Sequence, residues 1–210
     1  MFDERYFECA YGQDYERRNP PRKLDFYLKR IRALKPKGSL IDIGCAYGSF
    51  LTIARKFYDV SGCDISGHAL ESAKKKLPGV PFVESDLQEL ELEAAYDVVT
   101  CFDVLEHIPA LQTAMERLKR LMKPDGIVVI AVPVYDTMAG RIAELLDRDK
   151  THLWKQGRKF WRDLVISNGM QLVEEAGLWR YLLPWGKYLF FGGVRWRTFS
   201  PALLLIAKKS

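Results

Sequence analysis

The 210-residue sequence predicts a single α/β domain built on a doubly wound, mostly parallel sheet. Three short runs are rich in Ile and Val and show no alternation of apolar and polar residues: 39–43, 96–102 and 126–132. Such continuous runs are typical of parallel strands that are covered on both faces. Segments with helical character lie between them, and this alternation of strand and helix favours an open sheet with helices on both sides.

The other elements follow from stop signals and from amphipathic spacing. Residues 66–77 end at Pro78-Gly79, which stops a helix, and residues 110–122 repeat apolar side chains at helical spacing before a predicted turn at 123–126. Residues 133–159 interrupt the alternation, and we interpret them as an insertion or lid. Further helices are predicted at 21–34, 49–57 and 160–168, and further strands at 58–64, 80–84, 170–174 and 202–208.

Composition and charge place the chain among ordinary globular proteins. Hydrophobic residues make up 48% and charged residues 28% of it, a balance that excludes intrinsic disorder. The first residues include acids and lead into no apolar run, so no secretory signal is predicted, and the stretch 202–207 is too short to cross a bilayer. Four scattered cysteines without CxxC spacing argue against a metal site and favour free thiols in the cytoplasm.

The loop after the first strand carries the strongest functional signal. It reads Asp42-Ile43-Gly44-Cys45-Ala46-Tyr47-Gly48, and a glycine at such a strand end lets the backbone turn sharply and approach a ligand. A P-loop would need Gly-Lys-Ser/Thr, but Ser49 and Phe50 follow Gly48, and a dinucleotide loop would read GxGxxG instead of GxxxG. The class that remains binds a nucleoside without phosphate groups.

Two acids follow at the ends of the next two predicted strands. Asp64 lies 20 residues past Gly44, where a carboxylate accepts hydrogen bonds from a ribose diol in folds of this kind. Asp86 is placed near the end of the third strand, where it can accept a hydrogen bond from an exocyclic adenine amine. Taken singly, a GxxxG run is a packing motif and each aspartate is a turn residue. Together, at three successive strand ends, they predict a nucleoside site.

At this point the sequence resembles a known family. The runs LIDIGCAYGSF, GCDIS, ESDLQEL, YDVVTCFDVLEHI and LMKPDGIVVIAVP follow one another across residues 38–134 in the order of the motifs of class I S-adenosylmethionine-dependent methyltransferases of the small-molecule type. The resemblance implies a Rossmann-like sheet of about seven strands with an antiparallel C-terminal strand. It also implies one methyltransferase domain over 1–210, with an N-terminal helical cap (1–37), a cofactor-binding core (38–132), the lid (133–159) and a C-terminal helix and strands (160–210).

The resemblance further implies S-adenosylmethionine as the cofactor, with S-adenosylhomocysteine as the product. Asp42 and the loop backbone would flank the methionine and ribose moieties. Asp64 would hold the ribose hydroxyls, and Asp86 with Leu87 would meet the adenine. The carbonyl group of Phe102, at the end of the fourth strand, would contact the methionine amine. The implied cofactor-binding residues are Asp42, Gly44, Ala46, Gly48, Asp64, Ile65, Asp86, Leu87 and Phe102.

Two histidines are candidates for assisting the reaction. Methyl transfer is a direct displacement in which alignment dominates, and a general base adds to it when the nucleophile must lose a proton. His107 follows the fourth strand, and His152 lies in Asp149-Lys150-Thr151-His152, similar to a DxTH element that comparable methyltransferases carry close to the acceptor pocket. The alternatives stay open, since His107 could serve the scaffold and His152 could be a surface residue. His68 is predicted to be solvated and has no role.

Two segments rich in aromatic and basic residues flank the core. The N-terminal one could close over the cofactor, with an arginine meeting the methionine carboxylate, or it could pack the first helix onto the sheet. Its residues are Tyr6, Phe7, Tyr11, Tyr15, Arg17 and Arg18. The tail carries no acid from Arg180 onward, and we interpret it first as a long hairpin that packs against the last strand and lines the acceptor pocket. Its aromatic residues are Trp179, Trp185, Tyr188, Phe190, Phe191, Trp196 and Phe199.

The favoured function is methyl transfer to a small-molecule or lipid-linked acceptor. The tail leaves other partners open: single-stranded nucleic acid, which would make the protein an RNA methyltransferase, or an anionic membrane surface that it touches peripherally. Some chains with this fold act as non-catalytic partner subunits, but the cofactor motifs here are intact. The acceptor atom, the need for a general base and the oligomeric state are not predicted.

Overall fold

The computed structural model describes residues 19–92, 95–146, 149, 151–182 and 188–210. Its first half contains α1 (Pro21–Leu34), β1 (Gly38–Ile43), α2 (Ser49–Ala54), β2 (Tyr58–Asp64), α3 (Gly67–Lys76), β3 (Phe82–Glu84) and β4 (Tyr96–Phe102). A 3-10 turn (Leu105–His107) leads into the second half. There follow α4 (Leu111–Leu121), β5 (Met122–Pro133), α5 (Met138–Leu146), α6 (Arg158–Ser167), β6 (Met170–Leu182), β7 (Tyr188–Gly193) and β8 (Ala202–Lys209).

The strands form one sheet in the order β3-β2-β1-β4-β5-β8-β6-β7. The first five strands in this order, β3, β2, β1, β4 and β5, are parallel to one another. Strand β8 runs antiparallel to both of its neighbours, and β6 and β7 form an antiparallel hairpin. The predicted α/β fold with an antiparallel C-terminal strand is confirmed, with eight strands in place of about seven. The strand order reverses between β1 and β4, and open sheets of this kind bind ligands at that point, beyond the carboxyl ends of the strands.

Helices cover both faces of the sheet. Successive residues of a strand point to opposite faces, so Leu40 packs on one side with Tyr27 of α1 and Ile41 packs on the other side with Met115 of α4 and Trp161 of α6. All of these side chains are buried. Because helices cover both faces of the sheet, both sets of side chains in the central strands are apolar, and their sequences are continuous apolar runs.

Three predicted boundaries differ from the structure by three residues or more. Helix α2 ends at Ala54, since the chain turns before it enters β2. Strand β5 begins at Met122, because residues 122–125 continue along β4 through a register shift in place of the predicted turn at 123–126. Strand β6 runs far beyond residue 174, because it pairs with β8 and then with β7.

The predicted lid is anchored at its base. Asp136 binds Arg158, whose Nη2 donates to Ser200 O at 2.8 Å, and the Trp154 indole donates to Ile108 O at 2.8 Å. Helix α5 lies within the lid and turns an apolar stripe to the solvent. The exposed fractions in this stripe are 81% for Met138, 51% for Ile142 and 86% for Leu145. Within the ranges described above, no helix is both long and apolar enough to span a membrane.

The tail contains the hairpin predicted for it. Trp179 of β6 stacks on Phe191 of β7 with ring centroids 5.6 Å apart, and Phe190 is buried. Much of the aromatic surface is therefore used in packing. Trp185, Lys187 and the N-terminal cluster (Tyr6, Phe7, Tyr11, Tyr15, Arg17 and Arg18) lie outside the described residues.

Candidate active site

The loop between β1 and α2 needs the two glycines found in the sequence. Gly44 and Gly48 have φ of +73° and +69°, which is the left-handed region. A Cβ on Gly44 would lie 2.2 Å from Cγ2 of Val104, so only glycine fits there. Gly44 N and Cys45 N donate hydrogen bonds to Cys63 O at 2.8 and 3.1 Å, which holds the loop against the end of β2.

Asp64 supports this loop from the end of β2. Its Oδ2 accepts a hydrogen bond from Ala46 N at 2.8 Å, and its Oδ1 accepts one from Ser66 N at 2.9 Å. A carboxylate has about four acceptor positions, so Asp64 can still accept a hydrogen bond from a ribose hydroxyl group after those from Ala46, Ser66 and Ile65. Ile65 follows with 45% of its surface exposed, an apolar surface beside the predicted ribose site. Asp64 therefore has a structural role that is compatible with the predicted binding role.

The third predicted strand end brings Asp86 close to Asp64. Ser85 N donates to Asp64 O at 3.1 Å, and Asp86 Oδ1 accepts hydrogen bonds from Gln88 N and Nε2 at 2.8 and 3.1 Å. Leu87 is 4% exposed and belongs to the core. Of the predicted adenine residues, Leu87 can thus offer only its backbone.

A small cavity of about 50 Å³ lies at the switch point between β1 and β4. Asp42 is 4% exposed, and its Oδ1 accepts a hydrogen bond from Thr100 Oγ1 at 2.6 Å; burial raises the pKa of Asp42 to about 7. Within the part of the chain that the structure describes, the buried Oδ1 of Asp103 has no hydrogen-bond partner. The lining includes Lys23, Tyr27, Asp42, Gly44, Phe102 and Asp103.

This lining fits the methionine end of S-adenosylmethionine. A free amino acid carries an ammonium group and a carboxylate. The carboxylates of Asp42 and Asp103 would hold the ammonium group together with the Phe102 carbonyl, and the Lys23 ammonium would meet the carboxylate. Burial lowers the pKa of Lys23 to about 8 even though Asp103 stands beside it, so Lys23 is still protonated at neutral pH.

Asp103 joins three distant parts of the chain. It has a φ of +57°, and its Oδ2 contacts Arg180 Nη1 of β6 and lies 3.7 Å from Lys23 Nζ of α1. Burial raises the pKa of Asp103, but the two cations outweigh it and hold that pKa below its usual value. Sequence reasoning missed this cluster, because Arg180 is 77 residues from Asp103 and no local pattern links them.

We expect Asp103→Asn to destabilise the protein by about 2–3 kcal/mol, because it leaves Lys23 and Arg180 facing each other without an anion. This expected loss of stability is smaller than the loss for a fully buried ion pair, because 28% of the Asp103 side chain is exposed. Urea denaturation measures the change. The matched control is Asp163→Asn, which removes an exposed pair with Lys159 and should cost about 0.5 kcal/mol or less. Equal losses in the two variants would contradict the role given to Asp103.

The two candidate histidines lie side by side. Their ring centroids are 4.7 Å apart, although His107 ends the 3-10 turn after β4 and His152 belongs to the lid. Thr151 Oγ1 lies 2.8 Å from His107 Nδ1, and Tyr135 OH lies 3.4 Å from His152 Nδ1. Burial and the neighbouring His152 lower the pKa of His107. A half-buried imidazole that is neutral at pH 7 can act as a proton acceptor.

Glu106 stands next to the histidine pair and is 1% exposed. Burial and the nearby Asp103 raise its pKa well above the usual range. Glu106, His107 and His152 each bring one possible ligand atom to within 4.8 Å of the others. Side chains that bind no ion also reach this spacing, and the absence of a metal site stays a prediction.

A larger, open cavity of about 520 Å³ lies on the lid side of the histidines. Its wall includes Tyr135, whose hydroxyl reaches His152, and Leu145 from the exposed face of α5. Two cations and two acids complete the polar part of the wall: Arg141, Lys155, Asp136 and Glu144. The histidine pair is thus linked to this cavity through Tyr135, and the 3-10 turn that carries His107 begins two residues after Asp103 of the smaller cavity.

Fold, glycine loop and cofactor cavity together define a class I S-adenosylmethionine-dependent methyltransferase. The model of the methyltransferase domain family matches residues 13–181, most of the chain, and the protein belongs to that family. Its cofactor is S-adenosylmethionine.

Among proteins of known name, the chain is similar to ubiquinone biosynthesis O-methyltransferases. It is 34% identical to the one from Photorhabdus laumondii over 117 residues, which cover 51% of this chain and 48% of the relative. It is 28% identical to the one from Rickettsia akari over 120 residues, which cover 53% and 48%. The chain spans about half of the length of these relatives.

Solved structures share the fold. An S-adenosylmethionine-dependent methyltransferase from Thermotoga maritima, described as a possible histamine N-methyltransferase, has a TM-score of 0.74 at 16% identity and covers 98% of this chain and 97% of its own. The magnesium protoporphyrin IX methyltransferase from Synechocystis, solved with S-adenosylhomocysteine, has a TM-score of 0.67 at 19% identity and covers 98% and 97%. At these identities the likeness concerns the fold alone.

The structure brings most of the predicted site residues together. Asp42, Gly44 and Phe102 line one cavity, Ala46 binds Asp64, and the histidines touch. Their individual roles stay predictions. The residues that sequence reasoning missed are Lys23, Asp103, Tyr135 and Arg180.

Proposed function

We propose that this protein transfers the methyl group of S-adenosylmethionine to a hydroxyl group of a small-molecule or lipid-linked acceptor, by direct displacement with histidine assistance. The observation that carries the proposal is the position of the His107–His152 pair. The 3-10 turn that carries His107 begins two residues after Asp103, which lines the methionine cavity, and Tyr135 links His152 to the open cavity under the lid. A cofactor bound in the first cavity and an acceptor in the second would meet at the histidines.

The protein contributes mainly alignment to such a reaction. When bound, S-adenosylmethionine supplies a methyl group that the positive charge on sulfur has already activated. Asp64 would hold the ribose hydroxyls, and Asp42 and Asp103 would hold the amine, so that the methyl group faces the histidines. Positioning of this kind contributes up to about 7–11 kcal/mol in model reactions.

The histidine pair would remove the acceptor proton. As the new O–CH₃ bond forms and the S–CH₃ bond breaks, the hydroxyl proton passes to a ring nitrogen of His107 or His152. Burial keeps His107 neutral at pH 7, so it can accept that proton. A general base of this kind contributes about 10²–10⁴-fold in rate. The name O-methyltransferase of the similar proteins also favours a hydroxyl acceptor.

The walls of the open cavity favour an acceptor with an apolar part. Leu145 belongs to the exposed apolar stripe of α5, which suits a hydrocarbon tail, whereas Asp136 and Glu144 balance the two cations of the wall. A cytoplasmic location accompanies the proposal, since Cys45, Cys63 and Cys101 are free thiols.

RNA methylation is the second candidate. Phe199 is 67% exposed, and the basic residues Arg195 and Arg197 lie close to it in sequence. Aromatic and basic side chains together can bind single strands. Arg180 is less suited to that role, because it is already engaged with Asp103.

Calorimetry followed by a methyl-transfer assay tests the proposal. We expect S-adenosylmethionine and S-adenosylhomocysteine to bind the purified protein, and tritium from the methyl-labelled cofactor to enter hydroxylated aromatic acids or polyprenylated phenols in vesicles. Transfer to single-stranded RNA alone would favour the second candidate. Cofactor binding without transfer to any of the three acceptor sets would favour a non-catalytic subunit, and absence of binding would contradict the proposal altogether.

A further inference from the structure

Thr151 of the lid lies between an aspartate and the proposed base. Its Oγ1 is 2.6 Å from Asp149 Oδ1 and 2.8 Å from His107 Nδ1. Asp149 Oδ1 also accepts a hydrogen bond from Thr151 N at 2.9 Å. The three side chains therefore form a continuous chain of hydrogen bonds from the lid to the 3-10 turn after β4.

The positions of the protons in this chain follow from donor and acceptor counting. Burial raises the pKa of Asp149, but the hydrogen bonds from Thr151 and the nearby histidines outweigh it, so that this pKa lies below its usual value. Asp149 is then ionised at neutral pH and can only accept. Thr151 has a single hydroxyl proton, and the 2.6 Å contact requires that it go to Asp149. The Thr151 oxygen must accept the other bond, and the proton in that bond comes from His107 Nδ1.

We infer that Asp149 and Thr151 are positioning residues that hold His107 in the neutral tautomer with its proton on Nδ1, which makes Nε2 the nitrogen that accepts the proton during methyl transfer. A neutral imidazole carries one proton, so a proton on Nδ1 leaves the lone pair on Nε2. The catalytic part of this inference rests on the proposed function. The tautomer is a property of the protein alone and can be measured without an acceptor.

Nitrogen-15 NMR of the imidazole rings tests the tautomer directly. The chain contains three histidines, His68, His107 and His152, so the His107 signals can be assigned with one His107→Gln variant. In the wild-type protein, with a chelator present, we expect the Nδ1–H form of His107. Thr151→Val keeps the shape but removes the hydroxyl group, and should leave a mixture of the two tautomers. Thr151→Ser restores the hydroxyl group and should restore the wild-type spectrum.

Turnover provides the second measurement. We expect Thr151→Val to lower kcat about tenfold, a part of the 10²–10⁴-fold that a general base contributes, with the cofactor affinity unchanged and Thr151→Ser near the wild-type rate. The titratable groups around His107 are His152, Asp149, Asp103 and Glu106. The hydrogen bond between His107 and the Thr151 backbone, which favours the protonated imidazole, is kept in Thr151→Val, so the change in kcat reports the loss of the hydroxyl group. The matched control is Thr113→Val on α4, outside the site.

The outcomes separate this inference from the proposed function. A wild-type His107 with its proton on Nε2, or a tautomer that does not change in Thr151→Val while the variant keeps its melting temperature, would overturn the inference. Loss of turnover in His107→Ala with normal turnover in Thr151→Val would overturn the positioning role alone. Normal turnover in both variants would overturn the catalytic part of the inference, because His107 would then not be the base.

Discussion

Asp64→Ala is expected to weaken S-adenosylmethionine binding by about 100-fold or more, because each lost hydrogen bond to a charged group is worth about 1.5–3 kcal/mol. The variant loses the acceptors for the ribose hydroxyls. It also releases Ala46 N and Ser66 N, which Asp64 holds at 2.8 and 2.9 Å, so the glycine loop loses its support. Calorimetric titration with S-adenosylmethionine and S-adenosylhomocysteine measures the effect, and thermal denaturation shows whether the variant is folded.

Two controls make the Asp64 experiment specific. Asp86→Ala should lower the affinity by about tenfold, since its carboxylate is more exposed and would lose a single hydrogen bond to the cofactor. Asp163→Ala removes an exposed carboxylate from α6 and should leave the affinity unchanged. If folded Asp64→Ala bound the cofactor as tightly as the wild type, the ribose site would have to lie elsewhere.

His107→Ala is expected to lower kcat by about 10²–10⁴-fold while the cofactor affinity stays near the wild-type value. The imidazole is the proposed proton acceptor, and the residue does not line the methionine cavity. A base works only when it is neutral, so kcat should fall as the pH drops through the pKa of His107. Burial and His152 lower that pKa, and activity should therefore persist to a lower pH than for a solvated histidine. The pH dependence of kcat checks this direction.

The neighbouring histidine must be tested together with His107. The two rings are 4.7 Å apart, so His152 could take over part of the function in the single variant. The double variant His107→Ala/His152→Ala should show the full loss, with His68→Ala as the matched control. Turnover within a few-fold of the wild type in the double variant would rule out histidine assistance.

The sequence predicted the central elements closely and the C-terminal ones less well. Helix α1 and β4 have the predicted bounds, because a proline marks the start of the helix and an apolar run marks the strand. Strand β2 also has the predicted bounds, although its sequence is mixed. Strand β6 was predicted to end at residue 174, where two acids follow one another. The structure places Glu174 beside Arg30 at 2.9 Å and Glu175 beside Arg162 at 2.6 Å, so cations from α1 and α6 allow the strand to continue.

Some residues of the candidate site could likewise be predicted from the sequence, and others could not. Asp42, Gly44, Asp64 and Asp86 could be named in advance, because each stands at the end of a strand that its own sequence marks. The sequence did not show which part of Leu87 is available to a ligand, because its side chain belongs to the core while its neighbour Asp86 is partly exposed. Sequence spacing places a residue along a strand end, but the packing around it decides which way its side chain lies.

The sequence by itself determined the fold class, the cofactor class and the loop that is predicted to hold the cofactor. These depend on short-range features: glycine conformation, apolar runs and the order of strand ends along the chain. Only the tertiary structure decided which side chains come together at the candidate site. The Lys23–Asp103–Arg180 cluster and the Asp149–Thr151–His107 chain join segments that are far apart in sequence. Ion pairs and hydrogen bonds act over a few ångströms, so folding must bring these groups into contact before either arrangement exists.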